Sequence, residues 1–188
     1  SHLQCQLGLA GDYQLENASC ALTLMQITLA KLHIPLDLSA IKQAMATVSW
    51  PGRMEVVNES PLMLLDGAHN LPGMQALVKT LRDDFSDREL YLLVGILADK
   101  QYQLMMGELV SLKNAHIMLA PFTGPSNKRP SALPDEMLMG IHSRYPIQQA
   151  ANWQSGLLQL SQEMSSDDVL VVTGSLYLIS EVRQYLFE

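Results

Sequence analysis

The sequence predicts an α/β protein built on a mostly parallel sheet with helices on both faces, preceded by a smaller segment. Beyond residue 52, short apolar runs alternate with stretches of helical periodicity, the pattern of strand–helix units whose helices cover a parallel sheet. Several runs are apolar at every position, which suits central strands buried on both faces. Trp50-Pro51-Gly52 punctuates the chain between the two textures and marks the boundary, giving segments 1–49 and 50–188.

Residues 3–10 alternate apolar and polar through Leu3, Cys5, Leu7 and Leu9, which predicts a strand. Gly11-Asp12 breaks it. Cys20, Leu24, Ile27 and Leu32 recur at helical spacing over 17–32, and Pro35 blocks continuation. A second helix is expected over 39–48. Strands follow at 54–57, 62–65, 90–94, 116–120, 147–150 and 169–172, the first mixed enough to pair antiparallel at an edge. Helices are expected near 71–85, 101–112, 134–142, 151–164 and 175–187. The stretch 121–134, with four prolines and two basic residues, is a long loop.

Composition removes several function classes. The acidic balance, formally −7, argues against a large nucleic-acid footprint. A phosphate can still be held by a few local cations and backbone amides. No apolar run approaches the roughly 18 residues that span a bilayer, so no membrane partner is expected. The opening SHLQCQLGLAGDYQ has no basic region followed by an apolar block, so no signal peptide is expected and the cytoplasm is the expected location. Cys5 and Cys20 form no CxxC; two buried thiols are expected, without zinc or a disulfide. No metal ligands are assigned.

In an open α/β sheet, ligands bind at the carboxyl ends of the strands. There the sequence places Asp66-Gly67-Ala68-His69-Asn70, then Gly95-Ile96-Leu97-Ala98-Asp99-Lys100, then the proline-rich loop with Lys128 and Arg129, then Thr173-Gly174-Ser175. Singly, each has a plainer explanation: Asp66-Gly67 as a turn, Asn70 as a helix cap before Pro72, Ser175 as an N-cap, Arg53 as a charge solvating an edge strand. The signal is that small and polar residues gather at four ends expected to share one edge. G-x-x-x-x-G-K-[ST], G-x-G-x-x-G and H-E-x-x-H do not occur, so the chain has no self-sufficient phosphate cradle of those kinds. G-x-S-x-G is also missing around Ser175, which disfavours a serine hydrolase.

Trp50-Pro51-Gly52-Arg53, Asp66-Gly67-Ala68-His69-Asn70, Gly95-Ile96-Leu97-Ala98-Asp99-Lys100 and Thr173-Gly174-Ser175-Leu176-Tyr177 occur in this order in the folylpolyglutamate synthase and dihydrofolate synthase family of the Mur ligase superfamily. Glu16-Asn17-Ala18 resembles a fifth segment of that family, and the resemblance runs from about Leu7 to the end. It implies a Rossmann-like carboxy-terminal domain from about residue 50. Residues 1–49 would then be the short α/β tail of an amino-terminal ATPase domain that carries the P-loop and most Mg²⁺ ligands. The implied reaction joins L-glutamate to the γ-carboxyl of a reduced folate, using ATP through an acyl phosphate. Dihydropteroate is the implied substrate if dihydrofolate synthase activity is also present.

Residue by residue, the resemblance sets Asn17 near the nucleotide, Arg53 on ATP and Asp66 on the nucleotide through its ribose. His69 and Ser175 fall to glutamate placement and turnover. A guanidinium offers phosphate a planar fork, and acyl-phosphate chemistry needs charge neutralised as phosphate transfers. The sequence departs from the family's pattern where Leu71 precedes Pro72, where Gln101 follows Lys100, and where Asn127-Lys128-Arg129-Pro130 replaces Asn-Pro-Arg; no role is assigned to that loop. A monomer is expected. The chain's opening, without Met, is expected to be a truncation. A non-catalytic nucleotide-binding module remains the competing reading, and a P-loop upstream of Ser1 would decide for the ligase.

Overall fold

The computed structural model describes residues 4–9, 11–123 and 129–187. The first segment holds two helices, α1 (Tyr13–Lys31) and α2 (Leu38–Thr47). Asp37 caps α2 by accepting from the backbone amides of Ser39 and Ala40 at 2.9 and 3.0 Å. The strand predicted over 3–10 does not form in residues 4–9. Period-two alternation becomes a strand only beside a partner strand. None of the six-stranded sheet lies there, and Gly8 instead donates to the Met45 carbonyl at the end of α2. The thiols are also not buried as expected: Cys5 and Cys20 are both exposed. Helix α1 buries only Gln14, because its apolar residues are spread around the helix. Leu24 and Ile27 are 66% and 51% exposed.

The sheet comprises β1 (Glu55–Glu59), β2 (Leu62–Asp66), β3 (Leu90–Val94), β4 (Ala115–Leu119), β5 (Gln148–Gln149) and β6 (Val169–Thr173) in the order β1-β2-β6-β3-β4-β5. Only β1 runs antiparallel, at the edge where its mixed pattern placed it. Helices α3 (Leu71–Asp84), α4 (Tyr102–Leu109) and α5 (Pro134–Leu138) cover one face; α6 (Trp153–Glu163) and α7 (Leu176–Phe187) cover the other. Several helices are shorter than predicted, α4 and α5 most of all. Helix α4 ends at Leu109 rather than 112, and α5 at Leu138, just ahead of Gly140 at φ +73°.

Alternation along the buried strands sorts the core. Leu64, Leu92 and Val171 face Met74, Leu81 and Met105, while Leu65, Leu93 and Val172 face Trp153, Leu178 and Val182. Strands β3 and β6 are buried at every residue, which is why their sequences are apolar runs rather than alternations. His116 of β4 lies between the rings of Tyr91 and Tyr145, at 4.7 and 4.2 Å, with Nε2 2.9 Å from Glu89; this is a packing role. No helix among the described residues is long and apolar enough to cross a membrane.

The parallel register puts Asp66 beside Thr173, and Thr173 beside Val94, so three strands end level. The chain leaves β6 through Gly174 at φ +103°, and a Cβ there would stand 2.6 Å from the Gly95 carbonyl oxygen. Neither the dihedral nor the contact admits a side chain. Gly174→Ala is therefore expected to lower the unfolding free energy by about 2–4 kcal/mol. Urea denaturation measures it, and a loss below about 0.5 kcal/mol would show that the turn yields freely.

Candidate functional site at the carboxyl edge of the sheet

Asp66 ends β2 as a buried carboxylate, 3% exposed. One oxygen accepts from Ala68 N–H at 2.9 Å, turning the chain towards α3. The other accepts from Met54 N–H at 3.0 Å, which belongs to the segment entering β1. Burial pushes the Asp66 pKa above its usual range, and it outweighs the opposing pull of those two amides and of the Arg53 and His69 charges.

Arg53 stands in the turn that Met54 closes. Gly52 has φ +71° and Met54, unusually for a side-chain-bearing residue, +46°. Gly67 N–H donates to the Gly52 carbonyl at 2.8 Å, fastening the turn to the end of β2. The Arg53 guanidinium has no hydrogen-bond or ion-pair partner among the described residues and acts on Asp66 and Tyr13 by charge alone.

Arg53, Asp66, His69 and Asn17 line one cavity of about 580 Å³ between α1, the Arg53 turn and the start of α3. The His69 Nδ1 donates to the Gly67 carbonyl at 2.8 Å, since a carbonyl can only accept, and Nε2 is left for a ligand. Asn70 caps α3 by accepting from Gly73 N–H at 2.8 Å, so the positive end of a 14-residue helix also borders the space. The Asn17 amide donates to Gln14 Oε1 at 3.1 Å.

Ser175 is placed differently. It shares the edge with Asp66, but it is 1% exposed and does not line this cavity. Its Oγ accepts from Tyr177 N–H at 3.2 Å and its carbonyl from Ile179 N–H at 3.1 Å, so it shapes the first turn of α7. Arg129 lies apart as well, paired with Asp99 at 2.8 Å, and the rest of Asn127-Lys128-Arg129 falls outside the described residues.

Tyr13, Gln14 and Trp50 also line the cavity and are among the lining residues that the sequence does not single out for a site. Tyr13 and Gln14 precede Asn17 by one helical turn, a spacing that would have revealed them had the helix been started at Tyr13. The Tyr13 phenol is pushed up by burial first and by the Asp66 charge second. Among the described residues no three His, Cys, Asp or Glu side chains gather as metal ligands.

A mostly parallel α/β sheet brings a buried carboxylate, a guanidinium unpaired among the described residues and a helix amino end around one cavity at strand carboxyl ends, an arrangement that suits a polyhydroxylated or anionic ligand. The chain belongs to the Mur ligase family: its residues 52–176 match the model of the Mur ligase, glutamate ligase domain. Folylpolyglutamate synthase of Lacticaseibacillus casei is 34% identical over 181 residues, 96% of this chain and 40% of that protein. A bifunctional folylpolyglutamate synthase/dihydrofolate synthase solved with Mn, AMPPNP and L-glutamate bound is 29% identical, with a TM-score of 0.70 over 85% of this chain and 38% of its own. The Mycobacterium tuberculosis folylpolyglutamate synthase complexed with ADP shares the fold at a TM-score of 0.79 and 22% identity, over 97% of this chain and 42% of its own. The chain thus spans about 40% of the length of these relatives, their carboxy-terminal part.

The raised Asp66 pKa has a thermodynamic sign. Folding favours the protonated acid, so the stability that Asp66 contributes is complete below the ordinary value of 3.8 and is lost as pH rises through the raised one. Wild-type stability should therefore fall relative to Asp66→Asn as pH climbs through that window. Unfolding titrations of both at a series of pH values check it; a difference constant across the series would refute the buried-carboxylate description.

Proposed function

We propose that this chain is the carboxy-terminal part of an ATP-dependent folylpolyglutamate synthase, which adds L-glutamate to the γ-carboxyl of a folate. The observation that carries the reading is the pairing of buried Asp66 with unpartnered Arg53 across one cavity. Asp66 accepts hydrogen bonds from ribose hydroxyls, and the Arg53 fork neutralises phosphate oxygens as charge shifts to the acyl phosphate. Asn17 and Gln14 border the nucleotide from α1, and the free Nε2 of His69 orients the incoming glutamate. Ser175 enters as a positioning residue that sets the β6–α7 turn.

The P-loop and Mg²⁺ ligands are assigned to a preceding ATPase domain, with residues 1–49 as its tail. Support comes from the apolar surface that α1 and α2 leave open, including Leu15, Leu24 and Leu38 at 59, 66 and 51% exposure. An aqueous surface of such residues is costly, and a packed neighbour removes that cost. Magnesium ATP, L-glutamate and a reduced folate or dihydropteroate are the proposed ligands, and the cytoplasm the proposed location.

The test is glutamate-dependent ADP release by the complete protein with ATP, Mg²⁺ and a reduced folate. Arg53→Ala should lose about 3 kcal/mol of transition-state stabilisation, roughly two orders of magnitude in kcat/KM, and Arg53→Lys should recover part of it. Unchanged kcat/KM in both variants would reduce Arg53 to a solvated edge charge. His69→Ala should raise KM for glutamate more than KM for ATP; equal rises would point instead to a loosened β2–α3 turn.

A further inference from the structure

Arg53 can grip phosphate only if its turn is held, and the turn is held from two sides. Its flanking residues both have positive φ, Gly52 at +71° and Met54 at +46°. Such a conformation in a side-chain-bearing residue persists only where the surroundings impose it. Each flanking amide is tied to a carboxylate: Met54 N–H to Asp66 at 3.0 Å and Gly52 N–H to Glu55 Oε2 at 2.8 Å. The Asp66 arm belongs to the cavity, whereas Glu55 does not line it. The second oxygen of Glu55 accepts from Arg183 Nε of α7 at 2.9 Å, and the Glu55 side chain is only 18% exposed. Ile179, one turn earlier on α7, closes on Gly52 so tightly that a Cβ there would stand 2.4 Å from its Cδ1. The last helix therefore reaches the Arg53 turn twice, by packing and by a carboxylate bridge.

We propose that Glu55 is a positioning residue for Arg53, acting through the Gly52 amide and itself oriented by Arg183. The proposal rests on the reading of Arg53 as the phosphate contact. Glu55 stands outside the cavity lining. Its two oxygens convert the fixed place of α7 on the sheet into a fixed direction for the Arg53 side chain. A partly exposed ion pair adds little to global stability, so the consequence of losing it falls on geometry.

The experiment compares Glu55→Ala, Glu55→Gln and Arg53→Ala, and the Arg53→Ala/Glu55→Ala double variant, in the complete protein. The readouts are ATP kcat/KM and amide hydrogen exchange. Glu55→Ala should lower kcat/KM about tenfold, the order expected when a catalytic group loses its alignment. Glu55→Gln, which keeps an acceptor for Gly52 N–H but offers Arg183 a donor in place of the second oxygen, should restore part of it. In the Arg53→Ala background Glu55→Ala should cost nothing further. Exchange at Gly52 and Met54 should quicken in Glu55→Ala while Leu92 in β3 keeps its protection. An unchanged exchange rate at Gly52 would overturn the proposal, as would a Glu55→Ala loss that persists undiminished without Arg53. Impairment in Arg53→Ala with an unaffected Glu55→Ala overturns the positioning role alone. Unchanged kcat/KM in Arg53→Ala overturns the phosphate reading and this proposal together.

Discussion

The Asp66 carboxylate joins three pieces of chain that are distant in sequence. It terminates β2, it turns the chain into α3 through Ala68 N–H, and it holds the entry to β1 through Met54 N–H. A buried carboxylate with so few donors is a costly arrangement, as the rise in its pKa records. The cost is retained where the group must be dry, fixed and ready to accept hydrogen bonds. Everything proposed for the cavity depends on this arrangement: Arg53 is aimed by the turn that Met54 closes, and His69 by the turn that Ala68 opens.

The sheet supplies the second condition. Level strand ends are a property of the parallel register, which pairs Asp66 with Thr173 and Thr173 with Val94. Backbones approach closely at Gly174, against the Gly95 carbonyl, and at Gly95, against the Ala120 carbonyl, while at Gly67 the Leu176 and Ile179 side chains of α7 take the space a Cβ would fill. The site is thus made from backbone amides and a few side chains borrowed from separate loops, which is how α/β sheets generally hold ligands.

Much of this was legible because burial on two faces writes an unmistakable pattern. The run 90–94 coincides with β3, and 169–172 differs from β6 by one residue. The mixed first strand was rightly placed at an antiparallel edge. Where burial is one-sided or missing, the pattern misled. Leu3, Cys5, Leu7 and Leu9 alternate like a strand, but among the described residues no strand lies beside 4–9. Cys20 sits at helical spacing on a helix that buries almost nothing. In the site, Asn17, Arg53, Asp66 and His69 were found by motif and come together. Tyr13 and Gln14 were missed because the start of α1 follows Gly11 and Asp12, and Asp12 makes no side-chain cap bond. The enclosure of Ser175 could not be read from Thr173-Gly174-Ser175, since a serine that caps a helix and one that meets a ligand have the same local sequence.

Strand β6 follows the other five strands in sequence, yet it lies between β2 and β3. Until it arrives, those two strands have no common hydrogen-bonding partner, and the sheet exists only as two separate parts. A chain emerging from the ribosome must therefore hold a β1–β2 hairpin and a β3–β4 pair apart, with apolar strand edges exposed, until β6 has been made. The late, long-range insertion raises contact order and slows the final step of folding. It also means that the position facing Asp66 is filled only in that step, so a chain without β6 cannot assemble the cavity edge.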